Sequence, residues 1–316
     1  MSILSAPSPE VATEITPELA PKFVPFLGDD LQADYADAQV VILPIPYEAT
    51  TTYRQGCQFG PQELLTASHQ VEIYDDELER EIGLEVAIHT HEAIADTRSQ
   101  TIPDTTMLAV TKQTVAKLIA DGKFVIAVGG EHSITGPIVA AYLEAHQEPF
   151  TVVQIDAHGD LRHEYEGSIY NHACVMRRVV DMGLPTVQIG IRSVCKEEAE
   201  LIKAKQLPII WARDIASQPD WMEQVFANIT TKKVFLTIDL DGIDPTLMPG
   251  VGTPEPGGLS WFAFLTMLRR LFKDYEVIGS DIMELAPLVD SVVSQFTAAK
   301  LAYKLVGYQA LAQGWQ

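Results

Sequence analysis

Two aspartates and a histidine alternate in Ile155-Asp156-Ala157-His158-Gly159-Asp160. The run before them, Phe150-Thr151-Val152-Val153-Gln154, is rich in β-branched residues and reads as a buried strand. Strand side chains alternate between faces. An extended backbone carried through residue 160 therefore puts Asp156, His158 and Asp160 on one side. Two carboxylates and an imidazole converging at a strand end form a metal-ligand arrangement. Two further stretches supply matching groups: His132 in Gly129-Gly130-Glu131-His132, and the same-parity pair in Asp239-Leu240-Asp241.

Together these are four aspartates and two histidines with no cysteine, a hard set of oxygen and nitrogen donors. Carboxylates this close repel one another, and two divalent cations cancel the charge. Two metals about 3.5–4 Å apart, bridged by carboxylates and a hydroxide, is the usual layout for such a set. Mn²⁺ suits it best, with Ni²⁺, Fe²⁺ or Co²⁺ as alternatives, and thiolate-seeking metals are disfavoured. Plainer explanations exist for single residues. Asp-Gly and Asp-Pro pairs are common in turns, and Asp244 before Pro245 is read as a turn residue. Alone, His132 after two glycines would be a loop histidine. Glu131 points away from His132 in an extended chain, behind the ligands or toward solvent. The metal reading outweighs these because all six candidates fall at one sheet edge.

The elements that position them alternate along the chain. Strands are expected at 39–43 (stopped by Pro44 and Pro46), 84–88, 124–128, 150–155, 186–191, 208–211, 234–238 and 277–280. Helices are expected at 61–74, 105–120, 133–146, 171–181, 196–205, 221–229, 260–272 and 292–311. Strands that are apolar throughout and bounded by helices imply a mainly parallel sheet covered on both faces. The ligands then sit beyond the strands' carboxyl ends, where such sheets bind their ligands. Residues 1–30, with Pro7, Pro9, Pro17, Pro21 and Pro25, read as an irregular arm outside the core. Residues 31–316 read as a single catalytic domain.

At 316 residues and 47% hydrophobic, the chain can bury a large core. A net charge of −21 argues against nucleic acid and anionic membrane surfaces, and suits cationic substrates or metal ions. No run of about 18 or more apolar residues marks a spanning helix. Residues 1–10 show no signal-peptide pattern. Three cysteines without C-x-x-C spacing fit reduced thiols, so a cytoplasmic location is expected.

Gly129-Gly130-Glu131-His132-Ser133, Asp156-Ala157-His158-Gly159-Asp160 and Asp239-Leu240-Asp241-Gly242-Ile243-Asp244-Pro245 resemble the three signature segments of the ureohydrolases. That family includes arginase, agmatinase and formimidoylglutamase. The resemblance extends over 38–312 in family order. It includes Thr52-Tyr53-Arg54-Gln55-Gly56, Phe59-Gly60-Pro61, Gly252-Thr253-Pro254-Glu255-Pro256-Gly257-Gly258 and Asp281-Ile282-Met283-Glu284. It implies a three-layer α/β/α fold with a mostly parallel eight-stranded sheet and two Mn²⁺ per chain. It makes Asp156 and Asp239 the bridging carboxylates, with His132 and Asp160 on one metal and His158 and Asp241 on the other. It also implies His172 as proton shuttle, Glu284 as partner of a guanidinium, and a homo-oligomer, commonly a trimer or hexamer. By residue type alone His163 rivals His172.

A carboxylate such as Glu284 can hold a planar guanidinium by paired, charge-assisted hydrogen bonds. Metal-acidified hydroxide attacks the guanidinium carbon, and a histidine suits protonation of the leaving amine. Arginases read an α-carboxylate with a Ser-x-Asn-x-His run. Here the loop is Leu161-Arg162-His163-Glu164-Tyr165-Glu166-Gly167-Ser168-Ile169-Tyr170-Asn171-His172, which lacks that spacing and carries Glu164 and Glu166. It looks more like agmatinases, although Arg162 would suit a carboxylate such as that of guanidinobutyrate. The expected reaction is agmatine to putrescine and urea, in polyamine synthesis, with Glu284, Glu166 and Thr253 touching substrate. The alternatives are another guanidino compound (guanidinobutyrate, guanidine or arginine) or a catalytically silent relative acting by binding a partner.

Overall fold

The computed structural model describes residues 22–146 and 148–315. Its strands are β1 Val40–Ile45, β2 Tyr74–Asp75, β3 Arg80–Glu81, β4 Ile88–Thr90, β5 Phe124–Gly129, β6 Thr151–Ile155, β7 Thr186–Ile191, β8 Ile209–Trp211, β9 Lys233–Asp239 and β10 Glu276–Met283. Its helices are α1 Gly60–Ser68, α2 Ile82–Glu85, α3 Asp104–Ala120, α4 Thr135–His146, α5 Val175–Asp181, α6 Lys196–Lys205, α7 Ala212–Ser217, α8 Trp221–Ala227, α9 Trp261–Asp274 and α10 Val293–Gln313. Eight strands make one sheet in the order β4-β1-β5-β10-β9-β6-β7-β8, and every neighbouring pair is parallel. β2 and β3 form a separate antiparallel pair.

The sheet divides two cores, as a both-faces-covered parallel sheet requires. Along β1, Val40 and Ile42 join one core, whereas Val41, Leu43 and Ile45 join the other. Residues of α1, α8, α9 and α10 cover the first side, and residues of α3, α4 and α5 cover the second. This is the three-layer α/β/α arrangement. Among the described residues no helix is long and apolar enough to cross a membrane.

Several boundaries differ from the sequence reading. β1 runs through Pro44 to Ile45. The Pro44 carbonyl accepts from Ile94 on the β4 side, so its missing N–H faces beyond the end of β4 and costs no bond to β5. The strand expected at 84–88 splits into α2 and β4. There Glu85 folds back to accept from Arg80 Nε at 2.5 Å and Glu81 N–H at 3.2 Å, closing a helical turn. The helix expected to reach residue 74 ends at Ser68, whose hydroxyl donates to the Leu65 carbonyl and accepts from Leu27 N–H. α7 was not foreseen.

Of the expected arm, residues 1–21 lie outside the described residues. Residues 22–30 do not stay off the core, because Phe26 is 1% exposed. The N–H groups of Phe26 and Leu27 donate to Thr90 Oγ1 and Ser68 Oγ, both at 2.8 Å.

Four strands adjacent in space, β5, β10, β9 and β6, send their carboxyl ends to one edge. Gly130, just past β5, stitches that edge together. Its N–H donates to Ile45 O at 2.9 Å and its carbonyl accepts from Glu284 N–H at 2.8 Å. A Cβ on Gly130 would lie 2.0 Å from the Tyr47 carbonyl oxygen. Backbone cannot swing aside as a side chain can. Gly130→Ala should therefore cost at least about 2 kcal/mol, in the upper part of the range for overpacked interiors. Chemical denaturation measures this, and an unchanged midpoint would refute the close approach.

Candidate metal centre

β6 ends at Ile155, and the extended backbone expected to reach Asp160 does not continue. Asp156 Oδ1 accepts from His158 N–H at 2.6 Å, which turns the chain. Asp160 then adopts a left-handed conformation, φ 52°, of a kind that costs about 1–3 kcal/mol and collects at functional sites. Asp239 repeats the device, its Oδ1 accepting from Asp241 N–H at 2.9 Å as β9 enters the turn Leu240–Gly242. Side chain-to-backbone turns, not strand parity, gather these ligands.

All six expected ligands come together. His132 Nδ1 lies 3.2 Å from Asp156 Oδ2, 3.2 Å from Asp160 Oδ2 and 3.3 Å from Asp239 Oδ2. His158 Nδ1 lies 2.9 Å from Asp241 Oδ2 and 3.6 Å from Asp156 Oδ1. Ligand atoms of His132, Asp156 and Asp239 fall within 4.8 Å of one another, and so do those of Asp156, His158 and Asp241. Asp156 thus serves both groups, one oxygen toward each histidine.

The donor set fits cations on a further ground. His132 Nε2 is 2.8 Å from Thr237 Oγ1, and Thr237 hydrogen-bonds Asp281. An ionised carboxylate only accepts, so protons point from Nε2–H to Thr237 to Asp281. Nδ1 of His132 is buried with no hydrogen-bond partner and faces three carboxylates; against the opposing effect of burial, these raise the ring's affinity for a proton well above the ordinary histidine range. Such an arrangement is repulsive unless positive charge sits among the oxygens. Burial, then Asp156, raises Asp160 to about 7. Burial, with Asp241 and Asp156, lifts Asp239 well above the usual carboxylate range.

A cavity of about 380 Å³ opens over this cluster. His158, Asp160, Asp239 and Asp241 line it, and so do His172, Thr253 and Glu284. Glu284 is buried, at φ 67°, with Oε1 accepting from His132 N–H at 2.7 Å. Burial, with Glu131 and Asp241 nearby, pushes its carboxyl well above the usual range. Burial, then His158 and His132, holds His172 down at about 4, so its ring is neutral at neutral pH. Thr253 Oγ1 sits 3.4 Å from Asp241 Oδ2.

One expected substrate contact is displaced. Glu166 does not reach the cavity. Tyr165 and Ser168 exchange both backbone hydrogen bonds at 3.0 Å, leaving Glu166 and Gly167 at the tip with φ 47° and 83°. That tight hairpin turn projects Glu166 into solvent. Tyr165 and Arg162 line the wall instead, with the Arg162 guanidinium 4.5 Å over the Tyr165 ring. His163, the rival shuttle, is exposed and donates its N–H to Glu197 at 3.3 Å, whereas His172 is in the cavity. Asp244 is a turn residue as read, accepting from Thr246 N–H and Oγ1. Cys174 is buried off the cavity wall, and Cys195 lines it.

Other contributors carried little sequence signal. Glu131 is fully buried, not solvent-facing, and gathers the loop at Ala49 and Thr50. Arg54, within a noted segment, donates to the carbonyls of Val251, Ala286 and Pro287 at 2.8–3.0 Å. Arg192 donates to Asp241 O at 2.6 Å and Glu255 O at 2.9 Å, and only its place after a strand could have marked it.

Comparison with known proteins agrees with this geometry. The sequence matches the arginase family model over residues 38–307. An N(1)-aminopropylagmatine ureohydrolase of Synechocystis sp. is 54% identical over 289 residues, 91% of this chain and 94% of that protein. The agmatinase of Pyrococcus horikoshii is 34% identical, covering 88% of this chain and 94% of its own length. Among solved structures, the agmatine ureohydrolase of Thermoplasma volcanium is 30% identical with a TM-score of 0.79, covering 96% of this chain and 99% of that one. The proclavaminate amidino hydrolase of Streptomyces clavuligerus is 25% identical with a TM-score of 0.81, covering 96% and 100%.

Ligands must be ionised to bind a metal, so uptake releases protons. With Asp160 at about 7 and Asp239 raised, divalent-cation affinity should weaken as pH falls through about 7. Calorimetry in buffers of different ionisation enthalpy reads the released protons. Affinity independent of pH between 6 and 8, roughly one unit either side of neutrality, would contradict the carboxylate assignment.

Proposed function

The chain belongs to the arginase family and is a hydrolase of C–N bonds in linear amidines, and from that premise we propose that it cleaves the guanidinium of agmatine to putrescine and urea. The observation that carries this reading is Glu284, a buried carboxylate in the same cavity as the metal ligands. Its raised affinity for a proton makes it a strong partner for any cation placed there, and a guanidinium offers paired donors. Arg54, also on the wall, donates its guanidinium to three backbone carbonyls, which fixes it against the loops.

The six ligands would hold two divalent cations, and the chemistry such a pair would supply is acidification of water to a nucleophile at neutral pH. Mn²⁺ is the best match to this oxygen-rich set. The remaining work falls to side chains. Glu284 orients the guanidinium plane over the ligand cluster. His172, neutral and in the cavity, takes up at its free ring nitrogen the proton given up by the attacking water and hands it to the departing amine as the C–N bond breaks. Tyr165 and Val194 add apolar surface to the cavity wall.

A second reading has specific support. The 54% identical Synechocystis protein is an N(1)-aminopropylagmatine ureohydrolase, and so is a 34% identical Thermus thermophilus protein. The longer amine carries the same guanidinium, and its hydrolysis yields the aminopropyl derivative of putrescine plus urea. The complete ligand set argues against a catalytically silent relative, since a binding protein has no need of six ligands with Glu284 and His172 beside them.

Urea release across agmatine, N(1)-aminopropylagmatine, arginine, guanidinobutyrate and guanidine decides the substrate. Either polyamine-type substrate should exceed arginine, and equal or better turnover of arginine would overturn the assignment. His158→Ala should abolish urea release with the chain still folded. Glu284→Gln should lower kcat/KM about 10- to 100-fold, the worth of a hydrogen bond to a charged group.

A further inference from the structure

The fully buried Glu131 carboxylate is met by four donors. Ala49 N–H and Thr50 N–H reach Oε2 at 2.6 Å each. The hydroxyls of Thr50 and Ser133 reach Oε1 at 2.8 and 2.5 Å. Thr50 has one hydroxyl proton, and that proton goes to Glu131. The same Thr50 oxygen accepts from His172 N–H at 3.0 Å and lies 3.1 Å from His172 Nδ1. A hydroxyl that has given its proton to a carboxylate can only accept from a ring nitrogen. Nδ1 must therefore carry the imidazole proton.

We propose that Glu131 and Thr50 are positioning residues that lock His172 as the Nδ1–H tautomer and so reserve Nε2 for proton transfer with the substrate. Buried carboxylates do this directly to the histidine of Ser-His-Asp triads, where loss of the correct tautomer is severe. Here a threonine hydroxyl passes the constraint on. The arrangement also explains why Glu131 lies beside a ligand yet turns away from it. Its four bonds tie the loop carrying Thr50 to the end of β5, so His172 and His132 keep a common frame. His172 supplies the backbone N–H as well as the ring contact, which sets the ring's height and its rotation together.

The proposal rests on His172 acting in guanidinium hydrolysis, but its test does not need a substrate. In ¹⁵N-histidine-labelled chain without paramagnetic metal, nitrogen shifts distinguish the two tautomers, and His172→Asn assigns the signal. At neutral pH His172 should appear as Nδ1–H in the wild type. In Thr50→Val it should become mixed or Nε2–H, and Thr50→Ser should restore it. In the metal-loaded enzyme, Thr50→Val should lower kcat about 10- to 100-fold, part of what a general acid supplies, with KM changed less than about twofold and metal content unchanged. Thr50→Ser should recover most of the rate. An Nε2–H signal in the wild type overturns the proposal even if Thr50→Val fails to fold. So does a Thr50→Val enzyme with unchanged tautomer and kcat. If the tautomer behaves as expected while no guanidino compound is hydrolysed, the relay stands and the proposed function falls.

Discussion

The structure turns on a repulsion. Four aspartate side chains crowd around two imidazoles at one sheet edge, and the buried Nδ1 of His132 faces three of them. Left alone, such a cluster would spread apart or hold protons, as the upward displacement of Asp160 and Asp239 indicates. Three of the aspartates are fastened by further hydrogen bonds. Asp156 accepts from His158 N–H and Gln154, Asp239 from Asp241 N–H, and Asp241 from Ala157 N–H. Ligand groups fastened in this way present their oxygens to one small volume, which suits cations.

That framework is the sheet. Cores on both faces fix strands β5, β10, β9 and β6 side by side, so residues leaving their carboxyl ends have few places to go. Local conformational cost is concentrated there. Asp160 and Glu284 are both left-handed without being glycine, and Gly130 sits where no side chain fits. These strained points lie within the best-braced part of the molecule, which is where such conformations persist. Arg54 and Arg192 brace the loops by donating to backbone carbonyls.

Where the sequence reading went astray, a local hydrogen bond outcompeted a pattern. Parity along residues 155–160 pointed to the right ligands for a partly wrong reason, because Asp156 turns the chain by accepting from His158 N–H. The same parity argument left Glu131 either behind the ligands or toward solvent, and four donors place it behind them at zero exposure. Glu166 was placed near substrate by its charge, but a tight turn fixes its direction regardless of charge. His163 and His172 are inseparable by residue type; the family resemblance favours His172, and it is His172 that lines the cavity.

The sequence by itself determined the alternation of strands and helices, the parallel sheet and the six candidate ligands, because hydrophobic runs and ligand chemistry are local and repeat at short spacing. Only the tertiary structure decided which groups meet. Glu284 leaves β10, the last strand in the chain, yet β10 lies between β5 and β9. That order brings Glu284 to the His132 backbone at 2.7 Å across 152 residues. Likewise Thr50 reaches His172 across 122 residues. Strand order is set by how helices of different lengths pack on the two faces, a global compromise that no single segment encodes.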